Sequence, residues 1–109
     1  MNDFTYYGVT TKVVDGDTVD AVIDLGFNIM TRVRFRLNGI NAPELKGDTL
    51  EKGLQAKKYL EDILLNKPAI FISHSKDRYG RYLATISLRG SNTTVNQLLL
   101  DSSLVDRYK

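Results

Sequence analysis

In the stretch Arg32-Val33-Arg34-Phe35-Arg36-Leu37, arginines alternate with apolar residues at every second position. Successive side chains of a β-strand point to opposite faces, so the arginines share one face and Val33, Phe35 and Leu37 share the other. The apolar face needs a core to pack against. This stretch therefore predicts a half-buried strand, the clearest in the chain.

Two further strands are predicted before this one. Residues 4–14 are rich in β-branched and aromatic residues, Asp15-Gly16-Asp17 interrupts the pattern, and residues 18–24 resume it. The turn into the arginine-rich strand contains Gly26 and Asn28, which tolerate positive φ angles. The N-terminal third of the chain is thus predicted to form three consecutive strands.

A helix is predicted after an irregular polar segment. Pro43 and Gly47 keep residues 38–47 out of regular structure. Asp48 and Glu51 then form an Asp version of a capping box, and apolar residues recur near helical spacing through residue 65. The residues expected to form the buried stripe are Leu50, Leu54, Ala56, Leu60, Ile63 and Leu64.

A hairpin and a second helix complete the predicted order. Residues 69–73 and 82–88 have strand patterns and flank a charged turn, residues 76–81. Thr94-Val95-Asn96-Gln97 is a capping box that opens a helix. Its inward residues are expected to be Val95, Leu98 and Leu99.

The predicted order, β-β-β-α-β-β-α, is that of an α+β fold dominated by β structure. Short strands with a helix between the third and fourth match a five-stranded OB-type barrel with two helices. The open face of such a barrel suits single-stranded nucleic acid. We therefore expect one OB-type domain over residues 1–109.

Composition limits the possible functions. The chain has 109 residues, 42% of them hydrophobic, and a net charge of +2. This length fits one compact core, and this charge is too small for strong nonspecific attraction to a polyanion. With no cysteine and one histidine, His74, the chain has no thiol nucleophile and no set of zinc ligands.

The expected location and assembly state follow from weaker signals. The first seven residues lack the basic start and apolar core of a signal peptide, and no stretch is long enough to cross a bilayer. The protein is cytoplasmic if Met1 is the native start and secreted if a signal peptide has been removed. We expect a monomer that does not associate with membranes.

The candidate chemistry is concentrated in three irregular segments, residues 15–18, 36–44 and 77–81. Together they offer oxygen ligands, a carboxylate and two arginines, which can hydrolyse a phosphodiester with a divalent cation and water. A calcium-type cation takes carboxylate, amide and backbone carbonyl oxygens, which Asp17, Asn41 and Ala42 can supply. Glu44 can then act as the general base that takes a proton from the water, and the arginine guanidiniums can bind the phosphate.

Arg36 and Arg81 are suited to bind the phosphate of the phosphodiester that is hydrolysed. Negative charge builds up on its nonbridging oxygens in the transition state, and two guanidiniums can meet that charge. The planar fork of arginine donates two parallel hydrogen bonds to a phosphate and stays ionised at any relevant pH. The residues themselves thus point to metal-assisted phosphodiester hydrolysis.

Taken in order, these segments resemble the staphylococcal nuclease (thermonuclease) family. The matching residues are Val14-Asp15-Gly16-Asp17-Thr18-Val19, Phe35-Arg36-Leu37, Pro43-Glu44, Asp77-Arg78-Tyr79-Gly80-Arg81 and Val95-Asn96. The Asp-Gly-Asp-Thr turn alone is a weak signal, but the ordered set spans nearly the whole chain and is highly specific. The resemblance implies an OB-type barrel and calcium-dependent cleavage of DNA and RNA that leaves 3'-phosphate ends.

The resemblance also assigns residues to the metal site. It implies that Asp17 is the calcium carboxylate and that Ala42 contributes its backbone carbonyl. Asn41 stands where the family nuclease has a second calcium-binding aspartate, so the site loses one negative charge and should bind calcium more weakly. Asp15 and Thr18 are expected to lie just behind these ligands.

For the reaction itself, the resemblance implies that Arg36 and Arg81 are the catalytic arginines and that Glu44 is the base. Tyr79 is expected to contact a phosphate of the nucleotide, and Asp77 is placed with it in the substrate-binding set. The preference for DNA or RNA and the choice between internal and terminal cleavage stay open.

Two alternatives accompany the nuclease interpretation. Barrels of this type also bind nucleic acid without cutting it, but degenerate copies usually lose the calcium and arginine positions first, and this chain retains Asp17, Arg36, Glu44 and Arg81. The other is a truncated, weakly active fragment, because Lys109 ends the chain where the family nuclease continues into a third helix. Tyr82 and Tyr108 are expected to be half-buried packing residues rather than platforms for bases.

Overall fold

The computed structural model describes residues 4–108, so the expectations about Met1 and Lys109 lie outside the described residues. A short 3-10 turn, Gly47–Thr49, precedes the first helix. The elements in chain order are β1 (Phe4–Asp15), β2 (Thr18–Asp24), β3 (Met30–Leu37), β4 (Ile40–Asn41), α1 (Leu50–Leu64), β5 (Pro68–Lys76), β6 (Tyr82–Leu88), α2 (Val95–Asp101) and β7 (Asp106–Arg107).

Five strands close into a barrel in the order β1-β2-β3-β6-β5, and β5 pairs back onto β1. This confirms the predicted five-stranded OB-type barrel with two helices. The seam between β3 and β6 is parallel and consists of three residue pairs, from Phe35–Tyr82 to Leu37–Ala84. Among the described strands, the part of β3 before Phe35 therefore pairs only with β2.

The core fills the barrel and the space between it and the helices. Alternate residues of the strands point inward, as the period of two predicts. The face of α1 that contacts the barrel consists of Gly53, Ala56, Leu60 and Leu64. The buried hydrophobic residues of the strands include Val13, Val19, Ala21, Ile23, Phe35, Leu37, Phe71, Ala84 and Ile86.

The predicted start of α1 is wrong, and its predicted buried stripe is confirmed at Ala56, Leu60 and Leu64, with Ile63 partly buried, but is wrong at Leu50 and Leu54. Thr49, not Asp48, is the N-cap, and no side chain caps the helix. Leu50 and Leu54 are 43% and 49% exposed. The helix presents Gly53 instead, where an added Cβ would lie 2.9 Å from the carbonyl oxygens of Pro43 and Glu44. The loop after β4 packs against α1 at this glycine, and this contact sets which face is buried.

Residues 40 and 41, predicted to be irregular, form a short strand with the C-terminal segment. Ile40 pairs with Arg107 and Asn41 with Asp106, and Tyr108 donates its N–H to the carbonyl of Gly39 at 2.8 Å. This pairing depends on residues far apart in sequence, so local patterns do not reveal it. It holds the loop after β3 against the end of the chain.

Asn96 joins α2 to the barrel. Its Oδ1 accepts the N–H of Ile86 at 3.0 Å, and its Nδ2 donates to the carbonyls of Asn38 and Ala84 at 2.9 and 3.1 Å. Asn96 is 7% exposed, although the sequence analysis expected Val95, Leu98 and Leu99 to form the inward face. Val95 and Leu99 are buried and Leu98 is only partly buried, so the helix is turned toward Asn96.

We predict that Asn96→Ala lowers the free energy of unfolding by about 2 kcal/mol, because it leaves buried N–H and carbonyl groups unpaired. Urea denaturation followed by circular dichroism measures the change. Asn92→Ala is the matched control, since Asn92 is exposed in the turn before α2. Equal stabilities of the two variants would contradict a structural role for this amide.

Candidate active site

A buried ion pair joins β2 to β3 at one end of the barrel. Thr18 and Arg36 are opposite each other in the antiparallel ladder, and Asp17 precedes Thr18 in the turn between β1 and β2. Arg36 Nη1 donates to Asp17 Oδ2 at 3.1 Å, and the N–H of Ala42 donates to the same oxygen at 2.8 Å. Thr18 Oγ1 donates to Asp17 Oδ1 at 2.9 Å. Asp17 thus ties the turn between β1 and β2 to β3 and to the loop after β4.

The other side of the Arg36 guanidinium faces the loop after β3. Nη2 donates to the carbonyl of Ile40 at 3.1 Å and to Asn41 Oδ1 at 3.0 Å. The Cζ atom lies 5.1 Å from the centroid of the Tyr108 ring. Tyr108 is 54% exposed, whereas it was expected to be a half-buried packing residue. Its place beside Arg36 arises from the β4–β7 pairing, for which the sequence gives no local signal.

Asp15 and Asp17 form a pair of close carboxyl groups. Asp15 Oδ1 accepts the N–H of Asp17 at 3.0 Å. Burial, together with the hydrogen bond and charge of Asp17, raises the pKa of Asp15 to about 6. Burial also opposes ionisation of Asp17, but hydrogen bonds from Asp15 and Ala42 and the charge of Arg36 outweigh it and lower the pKa of Asp17. Asp17 is therefore the more acidic member of the pair.

Gly16 brings the turn with these carboxyl groups against the rest of the site. A Cβ at this position would lie 2.7 Å from the Cβ of Ala56 on α1 and 2.8 Å from the Cβ of Ala42. Such distances require a neighbour to shift, so glycine permits this close packing. The Asp-Gly-Asp motif thus has a structural reason for its central residue beyond the turn itself.

Asp77 organises the turn between β5 and β6. Its Oδ1 accepts the N–H groups of Tyr79 and Arg81, both at 2.9 Å, and its Oδ2 accepts Arg81 Nε at 2.7 Å. Desolvation opposes ionisation of Asp77, but these donors outweigh it and lower its pKa. Arg81 Cζ lies 5.4 Å from the centroid of the Tyr79 ring. Asp77 therefore holds the Arg81 guanidinium, which stays 39% exposed, in one orientation.

Arg36, which is bound to Asp17, and Arg81, which is bound to Asp77, meet in a pocket of about 240 Å³. We call it the phosphate pocket. Arg36 and Arg81 both line it, and so does Tyr108. A pocket with two guanidiniums suits a phosphate, because both carry positive charge and Arg81 uses only its Nε in the bond to Asp77. The other lining residues are Leu37, Asn38, Gly39, Asp77, Arg78, Tyr79 and Leu83.

The family of staphylococcal nuclease homologues matches residues 34–109, more than half of the 109 residues. The chain belongs to this family. It is 34% identical over 114 aligned residues to Uncharacterized protein MJ1439 of Methanocaldococcus jannaschii, and the match covers 84% of the chain and 53% of that protein. It is 31% identical over 114 aligned residues to Endonuclease YhcR of Bacillus subtilis, covering 94% of the chain and 9% of that protein.

The chain thus spans about half the length of the first relative and less than a tenth of the second. Family membership supports a nuclease-like or nucleic-acid-binding domain. Within residues 4–108, no helix is long and apolar enough to cross a membrane.

Glu44 lies in the loop between β4 and α1 of this nuclease homologue. Its side chain is 72% exposed, and Oε2 is 3.6 Å from Lys46 Nζ. Its backbone carbonyl accepts Thr49 Oγ1 at 2.7 Å, which ties the loop to the start of α1. The carboxylate is therefore exposed to solvent, and its surface ion pair with Lys46 contributes little to stability.

The oxygen atoms near Asp17 have the chemistry of a calcium site. Within residues 4–108 there is no group of three or more His, Cys, Asp or Glu side chains that could hold a metal ion. The oxygen ligands close together are the carboxylates of Asp15 and Asp17 and the Asn41 amide oxygen, whereas the observed contact of Ala42 with Asp17 is through its N–H. A cation beside two carboxyl groups is electrostatically favourable, and calcium accepts carboxylate, amide and carbonyl oxygens with water completing its shell. The ligand types at this place are thus ones that calcium accepts, and Asp17 and Asn41 meet Arg36 there in this structure.

Proposed function

We propose that this chain hydrolyses phosphodiester bonds of DNA or RNA in a calcium-dependent reaction that leaves 3'-phosphate ends. The observation that supports this most directly is that Arg36 and Arg81 line one pocket, although Arg36 comes from β3 and Arg81 from the turn between β5 and β6. Arg36 is in turn hydrogen-bonded to Asp17 and Asn41, two of the proposed calcium ligands. The printed name of the Bacillus subtilis relative, an endonuclease, agrees with this chemistry.

Each proposed role follows from the surroundings of the residue. Arg81 is fixed through Nε by Asp77, so its remaining N–H groups can bind the phosphate. Arg36 is anchored on both sides and does not need to reorganise as negative charge develops on the phosphate. Glu44 is proposed to accept a proton from the attacking water as general base, since its carboxylate is exposed in the loop between β4 and α1.

Asp17, Asn41 and the Ala42 carbonyl are the proposed calcium ligands. Calcium would add positive charge beside the phosphate and thereby stabilise the charge that develops there. Tyr79, which is 72% exposed at the mouth of the phosphate pocket, is proposed to contact a further phosphate of the substrate. Asp77 is proposed to contribute to this site by holding the Arg81 side chain and the Tyr79 backbone in place.

The test is degradation of single-stranded DNA by the purified chain with excess calcium and with EDTA, alongside Glu44→Gln. We expect cleavage only with calcium and a loss of about 10²-fold in the variant, the usual scale for a general base. Glu51→Gln is the matched control, because Glu51 is exposed on the first turn of α1. Products end-labelled and treated with phosphatase show whether a 3'-phosphate is left.

A nucleic-acid-binding domain without hydrolysis is the second candidate. It is favoured if the wild-type chain binds single-stranded DNA but releases no products at any calcium concentration. Wild-type cleavage that persists in EDTA would instead contradict the proposed role of calcium.

We predict that Asn41→Asp raises calcium affinity by about tenfold, because it restores a negative charge at a proposed ligand. Isothermal titration calorimetry measures this without substrate. Asn28→Asp adds the same charge at the β2–β3 turn, about 20 Å from Asp17 along the seven residues of β2, and should leave the affinity unchanged. Unchanged binding in Asn41→Asp would show that residue 41 is not a ligand.

A further inference from the structure

A second, larger groove of about 680 Å³ lies where the seam between β3 and β6 opens. Its aromatic residues are Phe4, Tyr6, Phe35 and Tyr82, and we call it the aromatic groove. Phe35 and Tyr82 form the first residue pair of the seam, so the described part of β3 before them has no partner strand on that side. The short seam leaves part of the barrel surface uncovered.

Two of the aromatic rings in this groove, those of Phe4 and Tyr82, are accessible. Phe4 is 63% exposed, and Tyr82, which was expected to be half-buried, is 42% exposed. The Phe4 and Tyr6 rings are stacked, with centroids 6.4 Å apart and planes inclined by 20°. Exposed apolar surface gathered in one concave region marks an interaction site more often than scattered single residues do.

The aromatic groove is also electropositive. Arg32, Arg34 and Arg81 line it, and none of its described lining residues has a carboxylate. Two of these arginines are ion-paired, since Arg34 Nε lies 2.7 Å from Asp20 Oδ1 and Arg81 Nε lies 2.7 Å from Asp77 Oδ2. Lys76 adds a charge, since its Nζ lies 4.8 Å from the centroid of the Tyr82 ring. The groove therefore favours an anionic ligand that also has a flat apolar part.

The aromatic groove is continuous with the phosphate pocket. Arg81 lines both, and its neighbours Gly80 and Tyr82 also line the aromatic groove. A strand held by its phosphate at Arg81 would thus have an adjacent nucleotide beside Tyr82. This continuity distinguishes the aromatic groove from the smaller pocket around Tyr7 and Arg89, which shares no lining residue with the phosphate pocket.

We propose that the aromatic groove binds an unpaired nucleobase of the strand whose phosphate lies between Arg36 and Arg81. This inference rests on the proposed function, because it extends the same site by one nucleotide. Any base can stack on an exposed ring, whereas a base in a duplex is already stacked and paired. The groove would therefore select single strands with little regard to base sequence.

The test is fluorescence anisotropy of a labelled oligothymidylate of about 12 nucleotides, titrated with protein in EDTA so that no cleavage occurs. We expect Tyr82→Ala and Phe4→Ala each to raise Kd by about tenfold. Tyr7→Ala is the matched control, because Tyr7 is 60% exposed on the same strand as Phe4 but lines the smaller pocket. Thermal melting checks folding, and Phe4→Ala, at the exposed start of β1, serves if Tyr82→Ala does not fold.

Equal single-strand affinities of wild type and Phe4→Ala overturn the inference, as does the absence of wild-type binding. An equal loss of affinity for a blunt duplex also overturns it, because a stacking site for unpaired bases cannot act on a duplex. If the wild type binds with the expected aromatic dependence but releases no products with calcium, the hydrolase proposal fails and the base-binding groove stands.

Discussion

Arg81→Ala is expected to lower the turnover of single-stranded DNA by about 10²–10³-fold while the protein stays folded. The guanidinium lies at the exposed mouth of the phosphate pocket, where its free N–H groups can meet the charge that develops on the phosphate. The ion pair between Arg81 and Asp77 is partly exposed. In the variant, Asp77 still accepts hydrogen bonds from the backbone N–H groups of Tyr79 and residue 81. The stability change should therefore stay within about 1 kcal/mol.

Steady-state cleavage with saturating calcium measures this effect, and urea denaturation measures stability. Arg89→Ala is the matched control, because Arg89 is exposed at the end of β6 and lies 5.5 Å from the Tyr7 ring centroid, away from the phosphate pocket. Arg81→Lys should recover only part of the activity, since lysine keeps the charge but not the planar fork. Turnover in Arg81→Ala equal to that of the control would remove Arg81 from the mechanism.

The barrel itself could be predicted from local patterns. The alternation in β3 and the polar breaks at residues 15–17 and 76–81 report directly on strands and turns, because each depends on neighbouring residues. The family match over residues 34–109 agrees with the motifs quoted from the sequence. The exposure of Leu50 and Leu54 was missed because a tertiary contact at Gly53 decides which face of α1 is buried.

The site could be predicted only in part. The motifs identified Asp17, Arg36 and Arg81, and the structure brings the two arginines to one pocket. They could not reveal that Tyr108 lies over Arg36 or that Asn41 accepts a hydrogen bond from it, since both contacts depend on the β4–β7 pairing. The aromatic groove was missed for a similar reason, because it results from the short seam between β3 and β6.

The alternating pattern alone also predicts the wrong exposure for Arg36. The pattern places it on the same strand face as Arg32 and Arg34, yet Arg36 is only 8% exposed. The loop after β3 covers Arg36, and Asp17, next to its ladder partner Thr18, accepts a hydrogen bond from it. Arg36 therefore has a structural role in addition to its proposed catalytic one, and this separates it from Arg81.

Arg36→Ala is accordingly expected to lose stability as well as activity. The substitution leaves Asp17, which is 4% exposed, with the hydrogen bonds of Thr18 and Ala42 but without a positive charge. Breaking a buried ion pair by removing one partner costs about 3–5 kcal/mol. Urea denaturation in EDTA, so that no cation replaces the guanidinium, should show a loss of this size, and turnover with calcium should fall by about 10²-fold or more.

A double-mutant cycle with Asp17→Asn assigns this loss to the pair. When Asp17 is already neutral, Arg36→Ala no longer strands a buried charge, so the double variant should be more stable than the sum of the single effects by more than about 1 kcal/mol. Additive losses would show that Arg36 stabilises the barrel through Ile40 and the Tyr108 ring instead. The contrast with Arg81→Ala then distinguishes an arginine that builds the site from one that acts only on its substrate.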